Sequence, residues 1–196
     1  MSNIIRLDEN GHLLVDGHGK NSAASIPAMA VLVIDRSGSM VGDKTRFASS
    51  GAWDFSQSAL SKGYRVGVVE FATGAKITCA PSQKLNEVQR GCFADLLTGS
   101  TQMHEGLRLG FSLEPRSGDA IVVVTDGAVD DPAGTLALGS QLKASGVEIL
   151  AIGTDDADKD FLSKLASRPD LGIKVQASHL RQAITDASKL LGTSRK

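Results

Sequence analysis

The sequence predicts an α/β domain with a central, mostly parallel six-stranded sheet and helices on both faces. Three observations carry this expectation. The apolar runs at residues 29–34 and 120–124, rich in Val and Ile, have the continuous hydrophobicity of strands covered on both faces. Helical patterns stand between such runs, several closed by a glycine such as Gly63 or Gly146. Regular alternation of strand and helix requires crossovers, and hence parallel pairing.

In chain order, residues 1–25 read as a hairpin-like extension. Two short apolar runs flank Asp8-Glu9-Asn10-Gly11, and Asn-Gly is a strong hairpin signal. A polar Gly/Ser-containing link then leads into the main domain, residues 26–196, against which the hairpin is expected to pack. Strand 29–35 precedes a helix over 45–62. Strands follow at 64–72 and, shorter, at 76–80. Residues 84–97 read as helix, and Gly99-Ser100-Thr101 opens another running to 112. Strand 119–125, helix 133–145, strand 147–152, helix 158–167, a short strand at 173–175 and a last helix over 179–191 complete the pattern. No internal repeat or low-complexity segment interrupts it.

At 196 residues the chain suits one domain with a sizeable core. Apolar content of 41%, charged content of 22% and a net charge of −1 are those of an ordinary globular protein. There is no basic excess to draw nucleic acid and no apolar stretch long enough for membrane insertion. Residues 1–6 lack the layout of an export signal, and Cys79 and Cys92 are expected as reduced packing residues in a cytoplasmic protein.

The motif with the most chemistry is Asp35-Arg36-Ser37-Gly38-Ser39, where the first strand of the main domain stops. The carboxyl edge of a parallel sheet is where open α/β proteins hold ligands. One carboxylate and two hydroxyls converging there suit a hard cation such as Mg²⁺, and Gly38 is expected to let the backbone turn sharply. Two further edges add oxygen donors: Asp126 after the strand 122–125, and Thr101 before its helix. Taken singly, each has a bland role, as a turn-former or a helix cap. Together, each after the appropriate element, they point to one metal site.

These features, Asp-x-Ser-x-Ser, the Gly-small-Thr turn and Thr-Asp-Gly, resemble the von Willebrand factor A domain from about Ala28 to Leu191. The resemblance implies a Rossmann-like three-layer fold. It also implies that Asp35, Ser37, Ser39, Thr101 and Asp126 form a metal-ion-dependent adhesion site. Ser37, Ser39 and, in one state, Thr101 would touch Mg²⁺ directly and the two Asp residues largely through water; Mn²⁺ and Ca²⁺ accept the same donors. Such a site binds rather than catalyses, because neutral ligands leave the cation to be completed by an Asp or Glu of a protein partner. Met40, Val41, Met103, His104 and Val129 would form the partner-binding rim. Asp-Arg-Ser-Gly-Ser-Met is similar to the form common in intracellular prokaryotic members, adaptors that work beside AAA+ ATPases, kinases and phosphatases. Ser100 stands where a second glycine is usual, a small residue expected to be harmless.

The competing reading is a nucleotide site. Gly38 to Thr45 nearly spells a phosphate-binding loop, but Asp43 replaces the glycine before Lys44 and places a carboxylate where phosphate would sit. A phosphatase using Asp-x-Asp lacks its second acid, since Ser37 stands there, and no Gly-x-Ser-x-Gly elbow exists for a serine hydrolase. His104 and His179 read as surface or helix-end residues. Asp156, Asp158 and Asp160 open a helix and lack the Gly and Glu of a calcium loop.

Overall fold

The computed structural model describes residues 5–7, 13–15, 26–94 and 99–192. Near the N-terminus β1 (Ile5–Leu7) pairs antiparallel with β2 (Leu13–Val15), with Ile5 opposite Val15 and Leu7 opposite Leu13. The expected Asn10-Gly11 turn and the link over 16–25 lie outside the described residues.

The main domain has three layers. Its sheet runs in the order β5-β4-β3-β6-β7-β8: Gly74–Ser82, Arg65–Ala72, Met29–Asp35, Ala120–Thr125, Glu148–Thr154 and Gly172–Val175. All neighbours are parallel except β4 and β5, which form an antiparallel pair with register irregularities between Val66 and Val69. Every residue of β3 and β6 is buried, as expected of strands covered on both faces. One helical layer holds α1 (Asp43–Ser61), α2 (Leu85–Cys92) and α6 (Leu180–Ala187). The other holds α3 (Met103–Ser112), α4 (Pro132–Ala144) and α5 (Lys159–Leu165).

Three elements differ from the sequence expectation. The edge strand β5 is longer than 76–80, because its ladder with β4 continues through polar residues. It tolerates Pro81 because an edge strand has unpaired backbone groups to spare. The helix α2 ends at Cys92 rather than reaching 97. The last helix gives way after Ala187 to a 3₁₀ turn, Ser188–Leu190; the carbonyls of Ser188 and of Leu191, just past the turn, accept hydrogen bonds from Lys62 Nζ at 2.6 and 2.8 Å. Cys79 and Cys92 are buried free thiols, and burial pushes the Cys92 thiol up to about 11. No helix among the described residues is long and apolar enough to cross a membrane.

Candidate metal centre

The two central strands place the site. Parallel register sets Ile34 beside Val124, so Asp35 and Thr125 end their strands side by side, and Asp126 follows at once. Thr125 Oγ1 donates to Asp35 Oδ2 at 2.6 Å, and the Ser37 backbone N–H donates to Asp35 Oδ1 at 2.8 Å. Asp35 is fully buried. Desolvation raises its carboxyl above the ordinary value, partly offset by the bonds from Thr125 and Ser37.

Past Asp35 the chain makes a 3₁₀ turn, Gly38–Met40, before α1 begins. Ser37 Oγ and Ser39 Oγ lie 3.1 Å apart, and Ser39 Oγ donates to Asp126 Oδ1 at 2.7 Å. Ser37 and Asp126 are buried, while Ser39 opens to solvent. The Thr101 loop is held against this group by its backbone. Gly38 N–H donates to Gly99 O at 3.1 Å, Gln102 N–H to Ala72 O at 3.0 Å, and Asp130 N–H to Thr101 O at 3.2 Å. Thus all five expected donors sit on loops at one edge of the sheet: Asp35, Ser37, Ser39 and Asp126 through side-chain bonds, Thr101 through its backbone.

The donor set fits a hard divalent ion. Neighbouring ligands of an octahedral Mg²⁺ at 2.0–2.1 Å are about 2.9 Å apart, close to the two separations linking Ser37, Ser39 and Asp126. Only two of the five donors are carboxylates, and among the described residues no group of three His, Cys, Asp or Glu side chains forms a metal cluster. A cation here would meet mostly neutral oxygen.

Several expectations need correction. Gly38 opens the 3₁₀ turn, but the turn does not need a glycine there. Its φ is not positive, and a Cβ there would meet only Gly99 O at 3.9 Å. The positive φ values belong to Gly42 (96°) at the start of α1 and Gly99 (118°) in the Thr101 loop. Met40 and Met103 are not on a rim: both are fully buried, packed into the core beneath their loops. Of the expected rim, Val41 is 59% exposed, and His104 and Val129 are half-buried. The acidic run opens a helix as anticipated, with Asp158 Oδ1 capping the Asp160 and Phe161 N–H groups at 2.8 and 3.3 Å.

Two sets of residues were not foreseen. Arg36, inside the motif, is buried with its Nε donating to Glu70 Oε1 at 2.8 Å and its Nη2 to Cys92 O at 3.2 Å. This pins the loop to β4 and α2. Lys44, considered above only as a phosphate ligand, pairs instead with Asp126 Oδ2 and, at 2.9 Å, with Asp155 Oδ2. Burial alone would lower the Lys44 ammonium, but the bonds it donates to the two carboxylates outweigh it and leave it raised; the bond to Asp155 lowers that carboxyl in turn.

The von Willebrand factor type A domain profile matches residues 30–189. The chain belongs to this family. Solved structures share the von Willebrand A fold. The vWF domain of the type V pili tip protein Mfa5 from Porphyromonas gingivalis superposes with a TM-score of 0.76 at 14% identity, covering 87% of this chain and 97% of that one. The pilus adhesin SpaC from Lactobacillus rhamnosus GG, in an open conformation, gives 0.70 at 17% identity over 84% of this chain and 30% of its own. Proximal thread matrix protein 1 from the mussel byssus, with a zinc-occupied MIDAS motif, gives 0.67 at 18% identity over 82% and 46%. The chain therefore spans less than half of these last two proteins, and at such identities the likeness is one of fold. No curated protein is significantly similar to the chain in sequence.

Proposed function

We propose that this von Willebrand A domain is a metal-dependent protein-binding module. In this reading Ser37, Ser39 and, in one state, Thr101 hold Mg²⁺ directly, with Asp35 and Asp126 acting largely through water, and the ion captures an Asp or Glu of a partner protein. The observation that carries the reading is the convergence of the Ser37, Ser39 and Asp126 oxygens, linked at 3.1 and 2.7 Å, beside Asp35 and the Thr101 loop at one edge of the sheet. A cation held mainly by hydroxyls keeps unneutralised charge, so a partner carboxylate completes both its geometry and its charge. A related fold with zinc in its MIDAS motif is consistent with a divalent ion at this place. Val41, exposed beside the site, offers the partner an apolar contact.

Thermal unfolding tests this directly, for wild type and Asp35→Ala, in EDTA, in Mg²⁺, and in Mg²⁺ with ATP. Mg²⁺ at about a hundred times its Kd adds roughly 2.7 kcal/mol, which moves the midpoint of a domain this size by about 5–11 °C. The expected result is a Mg²⁺ shift in wild type alone with nothing further from ATP. A shift requiring ATP would transfer the reading to a nucleotide site at Gly38 to Thr45.

A further inference from the structure

We infer that Lys44 is a built-in counter-cation of Asp126, which weakens the hold of the site on its metal and strengthens the hold of the loaded metal on a partner carboxylate. The inference rests on the metal-site reading above and assigns a role to a residue outside the five donors.

The two oxygens of Asp126 face opposite tasks. Oδ1 accepts the Ser39 hydroxyl at 2.7 Å, on the side of the metal donors, while Oδ2 is taken by the Lys44 ammonium. Asp126 is buried, so this ammonium is not readily replaced by water. The lysine is fixed from three directions. Its backbone opens α1, immediately after the turn that carries the serines. Its ammonium also binds Asp155 Oδ2 at 2.9 Å. Asp155 in turn follows β7, and the neighbouring Asp156 N–H donates to Asp126 O at 3.1 Å, locking the two loops together. Asp155 holds a φ of 48°, in the left-handed region that aspartate adopts more readily than most residues, and its carboxylate lies on Lys44.

The charge balance gives the arrangement its consequence. Asp155 is 40% exposed and largely screened by water, so the charges at the donors are the buried Asp35 and Asp126 against Lys44, one net negative charge, and a divalent ion leaves one positive charge for a partner carboxylate to neutralise. Without the lysine, two negative charges would meet the ion. The site would bind metal more tightly, be neutral once loaded, and lose its attraction for an incoming carboxylate. Asp126 would also be free to turn Oδ2 to the ion and occupy the position a partner needs. Lys44 therefore trades metal affinity for partner affinity. A lysine that merely stabilised the fold would not shift the two in opposite directions.

The test uses Mn²⁺ as the metal and acetate as the carboxylate, read by electron paramagnetic resonance and water-proton relaxation on the full chain. Wild type, Lys44→Met, Lys44→Arg and Asp35→Ala are compared. Lys44→Met is expected to bind Mn²⁺ at least tenfold more tightly than wild type, and acetate at least threefold more weakly once loaded. Lys44→Arg is expected to stay within about threefold of wild type in both. Should Lys44→Met misfold in EDTA, its recovery on adding Mn²⁺, followed by thermal unfolding, is the same result read as stability. Equal or weaker Mn²⁺ binding by folded Lys44→Met overturns the inference alone. So does acetate that binds both loaded proteins equally, or neither. No Asp35-dependent Mn²⁺ binding in wild type overturns the metal-site reading itself, and the inference with it.

Discussion

Glu70→Gln is the substitution whose effect follows most directly from the structure. Arg36 and Glu70 have side chains with no solvent exposure, and the Nε–Oε1 distance is 2.8 Å. Gln preserves the shape and one acceptor but removes the counter-charge, so that among the described residues the buried guanidinium keeps only neutral acceptors, the Thr45 and Cys92 carbonyls among them. Two estimates of the cost agree. Unit charges about 4 Å apart at an effective dielectric near 20 attract by about 4 kcal/mol. Removing one partner of a buried pair costs about 3–5 kcal/mol, of which the retained neutral hydrogen bond returns about 1. A loss near 3 kcal/mol corresponds to a midpoint lower by about 6–12 °C for a domain of this size. Circular dichroism melts and urea titrations in EDTA measure it without interference from metal. The pair also pins the Asp-x-Ser-x-Ser loop to β4 and α2, so the Mg²⁺-induced shift should shrink in the same variant. Replacing both partners, Arg36→Met with Glu70→Leu, should return stability to within about 1 kcal/mol of wild type, since no charge is then left buried. A loss below 1 kcal/mol for Glu70→Gln would refute the view that this pair holds the loop.

Three further outcomes are expected. Asp35→Asn should abolish Mg²⁺ binding yet raise the midpoint in EDTA at neutral pH. Its folded-state carboxyl lies above the ordinary value through burial, so the ionised form opposes folding above that pKa; by the same sign, protons should compete with Mg²⁺ at a higher pH than for an ordinary aspartate, which calorimetric titration at falling pH will register. Gly99→Ala should cost about 2 kcal/mol and weaken Mg²⁺ binding, because φ is 118° and the new Cβ would sit 2.2 Å from Thr73 Oγ1, whereas Gly38→Ala should change melting by less than about 0.5 kcal/mol. Thr101→Ala should lower acetate affinity of the Mn²⁺-loaded protein more than it lowers Mn²⁺ affinity, as titration of each in turn will measure.

What was legible in the chain and what was not divide along a physical line. Residues 29–34 and 120–124 announce their strands because burial on both faces demands unbroken apolar sequence. The ends of β5 are obscure because an edge strand can continue through Lys76, Thr78 and Ser82 on backbone pairing alone. That Asp35, Ser37, Ser39, Thr101 and Asp126 meet at one edge of the sheet is legible because each belongs to a short local motif after a strand or before a helix. Lys44 and Asp126 lie 82 residues apart, and Asp155 lies on yet another loop, so no local pattern reveals their meeting. Arg36 and Glu70 are hidden in the same way, their pairing created only when β3 and β4 align. Met40 and Met103 mislead for the opposite reason. Neighbouring a site in sequence does not decide whether a side chain turns outward, and both turn into the core.

The central position of β3 has a mechanical consequence. From Met29 the chain runs directly up this strand to Asp35, so the strand's start and the candidate metal site lie at its opposite ends. A tether pulled from Ile26 while a partner grips the site would stretch β3 along its own axis. Its seven residue pairs with β4 and five with β6 would then resist together, in shear, rather than parting one after another like a zip. Force applied along this direction would be spread over the stiffest part of the sheet before it reached the candidate site.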